Sequence, residues 1–188
     1  MMKRWIIAAT VLLLAGCSGS ANKSYYQLPA ATGAVTAVAG QDTGRQLWLE
    51  HVAVADYLGG NGVVYQTNDV QYVIASNNLW ASPLEQQLQQ TMLSNLSAML
   101  PGWIVTGQSL GADQDVLNIT VTGFHGRYDG KAVISGSWVL NHKGTLTRRA
   151  FNLEVAQPQD GYDALVRALA EGWQREAGQI ATQLAAIR

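Results

Sequence analysis

The feature that most constrains this 188-residue chain is its only cysteine and the residues leading to it. Lys3 and Arg4 are followed by an uncharged apolar run over residues 5–15, which ends in Leu14-Ala15-Gly16-Cys17. A charged start, a short apolar stretch and small residues at its end are the parts of a secretory signal. A helix of that length rises about 16 Å, roughly half of a ~30 Å hydrocarbon core, so the run is too short for a conventional membrane span. A lone cysteine also excludes an intrachain disulfide framework and a cysteine-rich zinc site. The exported part is therefore expected to depend on an apolar core alone.

Leu14-Ala15-Gly16-Cys17 resembles the bacterial lipobox, in which the thiol is alkylated by diacylglycerol. Cys17 is thus the expected lipidation site and the first residue of a mature chain carrying three acyl chains. Two chains already suffice for stable anchoring, at ~0.8 kcal/mol per buried methylene, so attachment would be effectively permanent. Ser18 follows the cysteine where Asp would hold an enteric-type lipoprotein back, which favours the periplasm-facing leaflet of the outer membrane. Three segments follow: a signal peptide over 1–16, a lipidated N-terminus and short tether over 17–24, and one periplasmic domain over 25–188. The seven residues 18–24 reach at most roughly 25 Å, which keeps the folded body near the membrane surface.

Charge narrows the functions open to that body. Two of the 12 basic residues, Lys3 and Arg4, leave with the signal, so 10 remain against 13 acidic ones, a net charge of −3. Charged residues are only 13% of the chain, against a typical value of about 25%, while 48% is apolar. The longest run of like charge is Arg148-Arg149, too little to displace counterions from nucleic acid.

The pattern along the body alternates sheet and helix signals. Tyr25-Tyr26-Gln27-Leu28 reads as a small strand, and 29–45 as a loop, with an edge strand over 34–39 as the alternative. Residues 47–54 are apolar on both faces apart from Glu50 and His51, as in a strand covered on both sides. Gly59-Gly60-Asn61-Gly62 permits positive φ and close backbone approach but lacks the lysine and following helix of a phosphate-binding loop. Short strands are expected over 63–66, 70–75 and 103–106. Ser82-Pro83-Leu84-Glu85 has the form of a capping box with Pro in the first turn, opening a helix that stops at Pro101-Gly102. That helix has an apolar stripe through Leu84, Leu88, Met92 and Leu96, and an opposite face of Gln86, Gln87, Gln89, Gln90, Ser94, Asn95 and Ser97 suited to an oligomer contact.

Residues 116–126 alternate with period two. Asp129-Gly130 then suggests a two-residue hairpin turn, and His142-Lys143-Gly144 a three-residue one, giving an antiparallel meander to 156. A last helix over 160–187 carries Leu165, Leu169, Trp173, Ala177, Ile180, Leu184 and Ile187 on one face. Gly172 and Gly178 inside it imply close packing. The fold class is α+β: a mixed or antiparallel sheet packed by two amphipathic helices.

Catalytic signals are weak. Gly107-Gln108-Ser109-Leu110-Gly111 fits the G-x-S-x-G nucleophile elbow, with Asp129 and His142 in the right order, but no helix follows the serine as the elbow requires. A small serine esterase is the least favoured class. His51, His125 and His142 have no paired ligand spacing, so neither a metal nor a cofactor is expected.

The lipobox, Tyr25-Tyr26-Gln27-Leu28, Asp56-Tyr57-Leu58, the string from Asn78 through Trp80 to Leu84, the Gly126-to-Lys131 hairpin and Gln159-Asp160-Gly161-Tyr162-Asp163 together resemble the ABC-type transport auxiliary lipoproteins. The likeness covers essentially the whole chain. Broader family members commonly have Arg before the Trp and an acidic residue before the Pro; Leu79 and Ser82 stand there, so roles resting on those charges are not carried over. The resemblance implies a non-enzymatic accessory or docking component of an MCE-type intermembrane lipid transport complex. Its partners would be a PqiB-like MCE protein forming the conduit and, indirectly, a PqiA-like inner-membrane protein. A homo-oligomer is expected, and Tyr57, Leu58 and Trp80 are candidate partner-binding residues wherever they prove exposed. The alternative is a structural envelope lipoprotein that does not handle lipid.

Overall fold

The structure, a computed structural model, describes residues 22–29, 37, 44–111 and 113–187. In chain order these form β1 (Ser24–Tyr26), β2 (Gln46–Val54), β3 (Gly62–Gln66), β4 (Tyr72–Trp80), α1 (Leu84–Met99), β5 (Ile104–Thr106), β6 (Asp115–Arg127), β7 (Lys131–His142), β8 (Thr145–Ala156) and α2 (Tyr162–Ala186). The architecture is the expected α+β one, a mixed sheet of eight strands with two helices. The loop expected over 29–45 and its alternative edge strand over 34–39 lie largely outside the described residues.

The long strand β6 organises the sheet. One edge pairs antiparallel with β7, which pairs antiparallel with β8. The other edge is shared by two strands in line: β2 runs parallel along 115–121 and β3 parallel at Gly126 and Arg127. A 3-10 turn at Asp56–Leu58 and the glycine loop bridge the gap between them. From β2 the sheet extends to β5, and from β3 through β4 to β1.

Both helices lie on one face. α1 packs on β2, and α2 packs on β7 and β8. The stripe on α2 through Leu165, Leu169, Trp173, Ala177, Ile180 and Leu184 is buried as its spacing predicts. Phe124 on β6 meets Trp173 edge-on with ring centroids 6.3 Å apart, and the Trp173 indole N–H donates to the Leu88 carbonyl at 3.1 Å. Strand, helix and helix are thereby joined at one point. A Cβ on Gly172 would stand 2.3 Å from Ile134 Cδ1, so the helix approaches the sheet as closely as inferred there; Gly178 has nothing nearer than 3.9 Å and is not required by packing.

Several local expectations are corrected. β2 is covered on one side: Leu47, Leu49 and Val52 are buried, and a bulge between Leu49 and His51 leaves Glu50 and His51 exposed. Of the glycines at 59–62, none has positive φ; Gly62 is needed because a Cβ would come within 2.3 Å of the Ala75 carbonyl. The capping box does not close. Pro83 is the N-cap without a side-chain bond, the Ser82 carbonyl accepts from Gln87 Nε2 at 2.9 Å, and Glu85 turns to His51 at 3.6 Å.

The two hairpin turns exchange lengths. Arg127 pairs with Lys131 around three residues, with Gly130 at φ +76°, whereas His142 pairs with Thr145 around Lys143 and Gly144, both at positive φ. The latter is the two-residue turn whose twist matches the strands it joins.

Candidate functional site

Cys17 lies outside the described residues. Of the three candidate partner residues, Leu58 and Trp80 belong to the core, at 1% and 4% exposure. Trp80 packs 6.3 Å from Phe124. Tyr57 alone reaches the surface: its hydroxyl donates to the Thr122 carbonyl at 2.8 Å, and its ring lies 5.1 Å from that of Tyr72. Burial, with a smaller contribution from Tyr72, pushes the Tyr57 phenol up to about 12, so it stays a donor throughout the physiological range.

Tyr72 leads to a surface that sequence reasoning missed. Val70, Tyr72, Val73 and Ile74 are all exposed at the β3–β4 hairpin. Beneath them His125, 4% exposed, meets Tyr72 edge-on at 5.1 Å and places Nδ1 3.0 Å from the Gly126 carbonyl. Burial lowers the His125 pKa, with Arg127 adding to the effect and the Gly126 bond opposing it. The strand signal at 70–75 was legible. Its exposure was not, because alternation cannot tell a covered edge from an open one.

On α1 the uncharged polar face proves partly structural. Gln87, 2% exposed, takes the place of the ladder where β4 leaves the sheet: its Oε1 accepts from the Leu28 amide at 2.8 Å, and its Nε2 donates to Ser82 and Tyr26 carbonyls at 2.9 and 3.4 Å. Gln27, Gln90, Thr91, Ser94 and Asn95 line an open polar groove of about 160 Å³ beside it.

At the opposite end of the sheet, Arg45 gathers four elements. Its guanidinium pairs with Asp115 at 2.7 Å, donates to the Ile187 carbonyl at the end of α2 at 2.6 Å, and lies 4.4 Å from the centre of the Trp103 ring. His142 Nδ1 lies 2.6 Å from the other Asp115 oxygen. The arrangement cross-links the starts of β2 and β6 to the ends of β7 and α2, with His142 Nε2 left buried and without a hydrogen-bond partner among the described residues.

The same geometry decides the serine motif. Ser109 sits in an exposed loop, its Oγ accepting from Gln114 Nε2 at 2.6 Å, and the chain continues into β6 with no helix. Asp129 is held by Arg127 beside the start of β7, and His142 ends that strand, so twelve residues, roughly 35 Å, separate them. The three residues do not form a triad.

Glu176 is a further group not anticipated. It lies on the buried stripe of α2 at 1% exposure, with the Trp138 indole as polar neighbour and Oε2 without a hydrogen-bond partner. Burial raises its carboxyl to about 7. Among the described residues no cluster of His, Cys, Asp and Glu could hold a metal, and no helix is long and apolar enough to cross a membrane.

Comparison with known proteins gives a consistent picture. The family profile described as "ABC-type transport auxiliary lipoprotein component" matches residues 26–181. The chain is 57% identical over 184 residues to the intermembrane transport lipoprotein PqiC of Escherichia coli K12, covering 97% of this chain and 98% of that protein. The PqiC of Shigella flexneri matches equally. A crystal structure of a protein described as uncharacterized is 60% identical, with a TM-score of 0.78, covering 87% of this chain and 99% of that one. A Xanthomonas campestris protein shares the fold at 16% identity, with a TM-score of 0.73 over 87% of this chain and 95% of its own.

Proposed function

This chain belongs to the ABC-type transport auxiliary lipoprotein family, and on that premise we propose that it is a non-enzymatic docking component of an MCE-type intermembrane lipid transport complex. The observation that carries the proposal is the end-to-end match, 97% of this chain against 98% of the Escherichia coli protein, to a relative named for intermembrane transport. In this reading residues 1–16 are removed, Cys17 is acylated, 17–24 form the tether, and 25–188 stand as one body on the periplasmic side of the outer membrane. The body receives the tip of a PqiB-like MCE protein, and through it is linked to a PqiA-like inner-membrane protein. A conduit built as a ring is met most simply by a ring, so the body self-associates. The separation of Ser109, Asp129 and His142 supports a role without catalysis.

The test is capture of the purified periplasmic part of the PqiB-like protein by the acylated chain, with native mass spectrometry of the complex. Stoichiometric capture is expected, and the same spectrum gives the subunit number. A well-folded, acylated sample that captures nothing would favour a structural envelope lipoprotein that does not handle lipid. Tyr57 is the candidate contact to substitute in that assay; changes at Leu58 or Trp80 would act through the core.

A further inference from the structure

We propose that the exposed apolar tip of the β3–β4 hairpin is a second, non-covalent membrane contact, seated in the lipid surface beside the acylated N-terminus. The proposal rests on the acylation of Cys17 proposed above.

The tip itself is unlike a folded surface that meets only water. Val70 is 83% exposed, Ile74 52% and Tyr72 43%, and Val73, whose side chain points to the opposite face, is exposed as well. Of the four, Tyr72 alone is seen to rest on the body, against His125 and Tyr57, and even it stays 43% exposed. β4 also has an open edge here among the described residues. One side pairs with β3, while β1 covers the other side only from Asn78 to Trp80.

The course of the chain says what lies against this tip. β1 runs parallel to β4, with Ser24 opposite Asn78, so the chain before Ser24 approaches from the side of Tyr72 and the turn at 67–71. Seven steps from Cys17 to Ser24 reach about 24 Å, and the six steps of β4 from Tyr72 to Asn78 span about 20 Å. The tether is thus long enough to set the acyl chains at the level of the tip, and a body held that close would present Val70, Tyr72, Val73 and Ile74 to the bilayer. Aliphatic side chains with a tyrosine among them suit the boundary between headgroups and acyl chains.

Electrostatics at this end agree. Tyr72 lies opposite Gln66, and Gln66 beside Arg127, so the β6–β7 turn is at the same end of the sheet. It projects Tyr128, 57% exposed, and its charges pair among themselves: Arg127 with Asp129 and Glu154, Lys131 with Glu154, all at 2.7 to 2.8 Å. Two positive and two negative charges cancel there, and Asp69 in the hairpin turn adds one exposed negative charge beside Val70, so nothing at this end attracts anionic headgroups. The contact is apolar in character and should not weaken with salt.

Acylated Cys17 has no free thiol and the chain has no other cysteine, so a single nitroxide can be placed by Val70→Cys, by Ile74→Cys, or by Leu146→Cys at the start of β8, at the far end of the sheet. Each full-length acylated variant is reconstituted in vesicles of phosphatidylethanolamine and phosphatidylglycerol. Accessibility to oxygen and to an aqueous nickel chelate is then read by electron paramagnetic resonance. At positions 70 and 74 the ratio of oxygen to nickel accessibility should exceed that at 146 several-fold, in low and high salt alike. Aqueous values at all three positions in vesicle-bound protein would overturn the proposal. So would dipolar broadening at 70 and 74 without a gain in oxygen access, which would put a second copy on the tip. Failure to float with the vesicles, together with a mass lacking acyl chains on Cys17, would instead remove the anchor reading and the tip contact with it.

Discussion

Above pH 7 the Glu176 carboxyl has to carry its charge inside the contact between α2 and β7, where the Trp138 indole is its polar neighbour. Burial raises it from 4.5 to about 7, so the folded state holds this proton more tightly than the unfolded chain does. The resulting stability is fully present below pH 4.5 and is lost as pH rises through 7, about 3 kcal/mol in all. His125 works in the opposite direction, because its lowered pKa makes the folded state gain as pH rises toward 6.5. Glu176→Gln isolates the first effect: urea midpoints of the wild type should fall relative to the variant between pH 5 and pH 8. Equal slopes would mean that the carboxyl is solvated in solution. The residue was within reach of the sequence, since 176 stands three after Trp173 and four before Ile180 on the apolar stripe. Periodicity marks the face, but nothing in it announces that a carboxyl there stays buried instead of bending to solvent.

Elements were legible where one chain segment decides its own structure, and less so where a distant one does. The stripe of α2 stands as read, and the alternation of β6 holds through Leu117, Ile119 and Val121, but after the register shift between Val121 and Gly123 the four residues 123–126 are all buried. β4 continues past its apolar part through Ser76-Asn77-Asn78, residues of low strand preference, because it is pinned on either side of them, at Ile74 by β3 and at Asn78 to Trp80 by β1, with Leu79 also held by Gly62. The start of α1 shows the same dependence. Ser82 and Glu85 are spaced for a capping box, yet the Ser82 carbonyl is taken by Gln87, which also satisfies the Leu28 amide. Gln87 thus joins the first strand to the first helix more firmly than either sequence suggests. Gln87→Leu keeps much of the volume but leaves the Leu28 amide and the Ser82 carbonyl unpaired, at a cost of about 1–3 kcal/mol. The expected result is a lower urea midpoint with early loss of hydrogen-exchange protection at Leu28. Protection at Leu28 that survives the substitution would show that the amide has another partner.

Across the whole molecule, β6, β7 and β8 are consecutive antiparallel neighbours joined by short turns, whereas β2 and β3 reach β6 from far upstream, as in the pairing of Leu47 with Asp115. Local pairing closes small loops and distant parallel pairing closes large ones, so the meander should form first. Pulse-labelling hydrogen exchange during refolding is expected to protect the amides of β6–β8 before those of β2 and β3. Simultaneous protection would point instead to one concerted nucleus. The pairing of two strands in line on one edge of β6 then acquires a meaning for biogenesis. On the export reading proposed above, a chain that crosses the membrane N-terminus first presents β2, β3 and β4 before the strand they need has arrived. For that time β2 and β3 lack the partner strand on which the rest of the sheet is built. The protein's maturation depends on the order in which the chain arrives as much as on the fold it reaches.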